Sequence, residues 1–186
     1  KARQYDSRFL NRGIQPHIYS IMESNGFDRN LVEYFENDDE KLKKAMDRLV
    51  SELHDAKEYG SILNVTNVDF EALYARFEEI RTDASIYQLP AINTLLPFVQ
   101  IAQTMAQKYD VVVTNPPYMG ANGMAAKLSD FVKKKYPNSK SDLFAVFIEK
   151  CAQMLAKNGL QAMITQHAWM FLSSFENLRK NLQKTD

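Results

Sequence analysis

One nine-residue stretch constrains this chain more than any other: Asp110-Val111-Val112-Val113-Thr114-Asn115-Pro116-Pro117-Tyr118. Three consecutive valines predict a short strand of a parallel sheet, buried on both faces. The strand has to stop at Asn115, because a residue before proline is pushed out of the helical region. Pro116 and Pro117 fix their own φ and carry no N–H. The result is a stiff, extended loop at the carboxyl end of a buried strand, the edge where open α/β sheets bind ligands.

The loop is rich in acceptors. Asn115 offers a side-chain carbonyl and an amide, and its main-chain carbonyl and that of Pro116 are held outside any ladder. Tyr118 adds a flat face three residues on. Such a set suits a planar group with an exocyclic amine. Acceptors take both N–H hydrogens while the ring stacks. Held in pyramidal geometry, the nitrogen lone pair is drawn out of conjugation and towards an electrophile, which favours the transition state over the bound substrate.

Asn-Pro-Pro-Tyr after an apolar strand resembles the catalytic motif of S-adenosylmethionine-dependent amino-methyltransferases, above all the N6-adenine DNA methyltransferases. Asp142-Leu143-Phe144-Ala145-Val146-Phe147-Ile148-Glu149 is similar to their Asp-Leu-Tyr-x-x-Phe-x-Glu segment. Lys157-Asn158-Gly159 stands where they carry Lys-Pro-Gly-Gly, and His167-Ala168-Trp169-Met170 near their Pro-x-x-Trp-Leu; the second glycine and that proline are absent. Gly13-Ile14-Gln15-Pro16, the Ile18-Tyr19 pair and Tyr109-Asp110-Val111-Val112-Val113 running into Asn115 to Gly120 resemble the large methyltransferases of bacteriophage-exclusion (BREX) defence systems.

The resemblance implies an α/β fold: a partial Rossmann-like sheet of a methyltransferase catalytic domain over 1–186, with a helical insertion at 27–107. It implies S-adenosylmethionine as cofactor, and Asn115, Pro116, Pro117 and Tyr118 as catalytic residues acting on an adenine flipped from double-stranded DNA. Asn115 would also border the cofactor. Glu23 and Ser24, ending an expected strand Ile14–Met22, either meet the cofactor's adenine ring or form an ordinary polar strand end. Two rivals stand beside this reading: a protein-glutamine methyltransferase acting on release factors, and a non-catalytic scaffold. No glycine-rich cofactor turn follows a strand here, so the chain alone is expected to bind the cofactor poorly.

The chain starts at Lys1 without methionine and ends at Gln183-Lys184-Thr185-Asp186 in a helical pattern, which reads as a piece of a longer polypeptide. The remainder of that polypeptide and other defence-system subunits are the expected protein partners. A balanced composition, with 45% hydrophobic and 25% charged residues, fits a globular domain with a sizeable core. Zero formal net charge gives no bulk signal for nucleic acid, and one cysteine, Cys151, fits a reducing cytoplasm without disulfides. No apolar run reaches membrane-spanning length. His17, His54 and His167 lack ligand spacing, and no metal site is expected.

Charge is unevenly spread. Residues 27–83 hold 15 Asp and Glu against 8 Lys and Arg, a balance of −7. Three helices are expected there and just beyond. The first spans Asp38–Tyr59 and is closed by Gly60. The second follows a capping box at Thr66-Asn67-Val68-Asp69 and carries the stripe Phe70, Leu73, Phe77 and Ile80. The third is Thr94–Gln107, with Pro97 in its first turn. An acidic surface is repelled by phosphate, so these helices should face away from DNA. Residues 116–160 reverse the sign, with 7 lysines against 3 acids. Lys133, Lys134, Lys135 and Lys140 either grip phosphates or form a solvated face. Met119 to Met124 reads as a flexible lid. A helix Ser141–Asn158 begun by Ser141, a strand Leu160–Thr165, and a last helix capped by Ser173 with Glu176 complete the expectation.

Overall fold

The computed structural model describes residues 16–184. Its helices are α1 (Arg29–Glu36), α2 (Glu40–Glu52), α3 (Phe70–Arg81), α4 (Leu96–Ala106), α5 (Ala126–Lys135), α6 (Leu143–Met154) and α7 (Glu176–Leu182). Its strands are β1 (Tyr109–Thr114) and β2 (Leu155–Met163), paired in parallel. The chain is therefore α/β, with a parallel crossover of α5 and α6 between its strands. No helix among the described residues is long and apolar enough to cross a membrane. The expected helix end before Gly13 lies outside the described residues.

The ladder pairs Val111 with Leu160, Val112 with Gln161, Val113 with Ala162 and Thr114 with Met163. Gln161 donates from Nε2 to the Ile148 carbonyl (3.2 Å), so the face it shares with Val112 lies against α6. The opposite face is open: Val113 is 70% and Leu160 71% exposed. Among the described residues, α6 covers one face of β1 and the second face is left uncovered. Before this ladder, Tyr109 pairs with Leu155, and residues 156–159 bulge out, with Asn158 at φ 64°. A Cβ on Gly159 would stand 3.0 Å from the Tyr109 carbonyl oxygen and 3.2 Å from that of Asp110, so any side chain there must push these carbonyls aside by a few tenths of an ångström.

The helices of residues 29–106 build the largest core, around Phe35, Met46, Leu49, Leu73, Phe77, Ile80 and Phe98. Asp28, Asp39 and Asp69 each cap a helix by accepting from a backbone N–H. Part of the acidic balance of this region is therefore structural, because carboxylates at helix N-termini satisfy orphan donors and oppose the dipole. Asp69, not Thr66, begins α3. Thr66 instead gives both its N–H (2.7 Å) and its hydroxyl (2.6 Å) to Glu52. The single helix expected over 38–59 breaks at Asp55, which is left-handed at φ 56°, and resumes as one turn, Ala56–Tyr59. Gly60 follows at φ 62°, ψ −146°, backbone that side chains disfavour.

The third helix starts earlier than Thr94. A turn at Gln88–Pro90 runs into a π segment, Ala91–Leu95, and then α4. Pro97 has no N–H for the fourth carbonyl behind it. The wider π turn, in which Leu96 N–H reaches the Ala91 carbonyl, absorbs the mismatch. At the other end of the chain, Ser173 makes no side-chain cap. A short turn, Ser173–Phe175, leads into α7 instead. Residues 16–24 form no strand. Ser24 N–H donates to the Leu53 carbonyl rather than to a ladder, and Ile18 stands in solvent.

Lys150 fastens the helical region to the sheet. It is 3% exposed, and its ammonium donates to the Leu63 carbonyl (2.6 Å) and to Asn64 Oδ1 (2.7 Å). Tyr136, fully buried, donates to the Ile62 carbonyl beside it. The Tyr59 and Phe131 rings stack at 4.4 Å, and Lys127 pairs with Asp55 at 3.1 Å. Burial, helped by the nearby Lys108 charge, pushes the Lys150 ammonium down to about 8 from 10.5. The folded chain then binds fewer protons than the unfolded chain between those values. Its stability should rise as pH climbs from about 8 towards 10.5. Urea midpoints at about pH 7.5 and about pH 10 should show a gain of about 2 kcal/mol that Lys150→Met lacks. Equal pH dependence in both proteins would contradict this.

Candidate functional site

Parallel pairing sends the carboxyl ends of β1 and β2 to one edge. Thr114 carbonyl accepts the N–H of Ile164 (3.4 Å), the last bond before the chains separate. Pro116 turns inward and is buried, while Asn115 is exposed. Among the described residues, nothing donates to the Asn115 side chain or to the main-chain carbonyls of Asn115 and Pro116. Two prolines cannot relax into a helix or a ladder to satisfy them. The outcome is a stiff loop at the sheet edge that presents the exposed Asn115 side chain and leaves the main-chain carbonyls of Asn115 and Pro116 without a donor among the described residues, which is what an N–H donor of a ligand requires.

Tyr118 spans the two strand ends. Its hydroxyl donates to the Ile164 carbonyl (3.0 Å), and its ring meets Phe144 edge-on at 6.1 Å. Phe144 is buried in the first turn of α6 and lies 5.9 Å from Phe175. Tyr118 nevertheless remains 48% exposed. It is both a loop anchor and an accessible aromatic surface; the hydroxyl anchor was not expected from the sequence.

The loop is also tied at its far end. Met119 N–H donates to Asp142 Oδ1 (3.1 Å), and Met119 carbonyl accepts from Leu143 N–H (3.0 Å). Gly120 bridges Asp142 in antiparallel fashion, and Ala121 N–H donates to the Ser141 carbonyl (3.0 Å). Residues 119–124, expected as a flexible lid, are therefore pinned to the start of α6, and Met124 is buried. Asp142, not Ser141, caps that helix by accepting from Phe144 N–H (3.2 Å). Asp directly before an apolar run is itself a cap signal. Two cap-competent residues in succession, Ser141 and Asp142, hid which one acts.

The other expected site residues lie apart. Glu23 pairs with Lys57 (3.5 Å), and the Ser24 hydroxyl, buried, donates to the Val50 carbonyl (2.6 Å). Both are committed to the 50–57 segment, because no strand carries them to the sheet edge. Lys133, Lys134, Lys135 and Lys140 are all exposed at and beyond the end of α5, with Lys133 3.8 Å from Asp130. Of the remaining lysines, Lys127 is held by Asp55 and Lys150 is internal. No cluster of three or more His, Cys, Asp or Glu able to hold a metal occurs among the described residues.

Comparison with known proteins places this geometry in context. The profile of the Eco57I restriction-modification methylase family matches residues 23–186. The adenine-specific methyltransferase BrxX of Escherichia coli O9:H4 (strain HS) is 37% identical over 202 residues, covering 96% of this chain and 17% of that protein. The adenine-specific methyltransferase PglX of Lacticaseibacillus casei (strain Zhang) is 51% identical over 84 residues, covering 45% of this chain and 7% of that protein. The chain thus spans less than a fifth of the length of these curated relatives.

The two roles of Tyr118 separate by substitution. Tyr118→Phe loses one half-exposed hydrogen bond, worth about 1 kcal/mol, and keeps the ring. Tyr118→Ala removes the exposed ring face as well, and a face on which a planar base stacks is worth about 1–3 kcal/mol. Activity of the full-length protein should fall less than about 5-fold for phenylalanine, and about 5- to 150-fold further for alanine. Equal losses in the two variants would mean that the ring face is not used.

Proposed function

The chain belongs to the Eco57I restriction-modification methylase family, and from that membership we propose that it supplies the amino-acceptor part of the catalytic centre of a DNA adenine-N6 methyltransferase of the BREX type, acting in phage defence. The observation that carries this reading is the exposed Asn115 side chain and the undonated Pro116 carbonyl next to a half-exposed Tyr118. We read the β1–β2 ladder as part of a Rossmann-like sheet, and the helices of 27–107 as an insertion within it.

The target adenine leaves the duplex at a cost of a few kcal/mol and enters beside Tyr118. Asn115 Oδ1 and the Pro116 carbonyl accept its two amino hydrogens. This draws the nitrogen lone pair out of the ring and offsets the positive charge that grows on nitrogen as the new bond forms. The same acceptors hold the cationic product amine until its proton leaves to water. S-Adenosylmethionine, when bound, supplies the methyl group on a sulfonium. Of the residues expected to hold it, Asn115 fits, with a free side chain at the sheet edge; Glu23 and Ser24 do not, being engaged with Lys57 and Val50.

Exposed Lys133, Lys134, Lys135 and Lys140 offer phosphate contacts to double-stranded DNA, and the acidic helices, which phosphate repels, take no part in that contact in this reading. The remainder of the polypeptide, with the cofactor turn and a target-recognition region, and other defence-system subunits are the protein partners. The setting is cytoplasmic. A glutamine amide poses a similar chemical problem, but the likeness to adenine-specific relatives supports the base as substrate.

Asn115→Ala in the full-length protein should cut methylation of target DNA about 100- to 1,000-fold, with the melting temperature unchanged, because one oriented acceptor at a developing charge is lost. Methyl incorporation within tenfold of wild type would contradict the role.

A further inference from the structure

Asp142 uses one oxygen for two tasks. Its Oδ1 accepts from Phe144 N–H (3.2 Å), capping α6, and from Met119 N–H (3.1 Å), holding the exit of the Asn115 loop. Leu143 N–H grips the Met119 carbonyl from the same turn (3.0 Å). Met119 is thus fixed through both its backbone groups. Between it and Asn115 stand Pro116, Pro117 and Tyr118, and the prolines have little torsional freedom to absorb a shift.

The turn that bears Asp142 is itself braced. Ser139, fully buried, donates its hydroxyl to Glu149 Oε2 (2.8 Å), and its carbonyl accepts from Asp142 N–H (3.4 Å). Glu149 lies two helical turns after Asp142, on the same side of α6. Asp142 and Glu149 therefore form one support: the glutamate holds the turn, and the aspartate passes its position to the loop.

We propose that Asp142 is a positioning residue for methyl transfer, setting the direction of the Asn115 and Pro116 acceptors through Met119. This rests on Asn115 being the acceptor of the adenine amino group. A capping residue alone could be any of Ser, Thr, Asn or Asp. The loop tether asks more, since it needs an acceptor long enough to reach Met119 N–H while still capping.

Two substitutions in the full-length protein separate the tasks. Asp142→Asn keeps an oxygen at the same reach. Asp142→Ser keeps a helix cap but is too short to reach Met119 as well. Expected for Asp142→Asn is a kcat within about 3-fold of wild type. Expected for Asp142→Ser is a kcat lowered about 10- to 100-fold, the range for a misplaced catalytic group. Its KM for DNA should stay within about 3-fold and its melting temperature near wild type. A wild-type kcat in Asp142→Ser overturns the proposal. So does a loss that tracks a lowered melting temperature and vanishes on cooling, which would make Asp142 a helix cap only. Asn115→Ala, measured in parallel, tells the two failures apart. Activity retained there removes the acceptor reading itself; activity lost there with Asp142→Ser unaffected removes only the tether.

Discussion

Everything at the candidate site depends on the parallel pairing of Val111–Thr114 with Leu160–Met163. Parallel pairing brings two carboxyl ends to one edge, and a crossover of two helices lies between them in sequence. Without that register, Ile164 carbonyl would not sit where the Tyr118 hydroxyl can reach it, and Phe144 would not lie under the tyrosine ring. Gly159 sits in the bulge that precedes this register, where a side chain would crowd the carbonyls of Tyr109 and Asp110 at 3.0–3.2 Å.

The helical region is bound to this unit by buried polar contacts as well as by packing. Lys150 and Tyr136 donate to three acceptors in residues 62–64. Backbone carbonyls in an irregular segment need donors when they are buried, and both side chains come from the crossover between β1 and β2. The desolvation of Lys150 is the cost of this arrangement, visible in its depressed pKa. Charge is segregated as well: acids cap helices of the first half, and exposed lysines gather around the end of α5.

Much of this was legible in the sequence. The valine run, the Asn-Pro-Pro-Tyr break, the stripe of α3 and the apolar helix and strand that follow Asn115 are read from periodicity and proline chemistry. The misreadings share a cause: local signals compete and tertiary contacts choose between them. Ser141 and Asp142 both qualify as caps, and the contact with Met119 is invisible in one dimension. Thr66 looked like a cap until Glu52 claimed it. Small residues at 119–124 looked mobile, yet main-chain bonds to Ser141, Asp142 and Leu143 need no side chain to announce them.

The central claim is that Asn115 and Pro116 receive the amino group of an extrahelical adenine. The most direct measurement is a structure of the full-length protein with a cofactor analogue and a duplex carrying its target adenine. The expected result is adenine N6 at hydrogen-bond distance, about 2.7–3.2 Å, from both Asn115 Oδ1 and the Pro116 carbonyl, with the base against Tyr118. An extrahelical adenine whose amino group is held by other residues, with Asn115 left facing solvent, would contradict it.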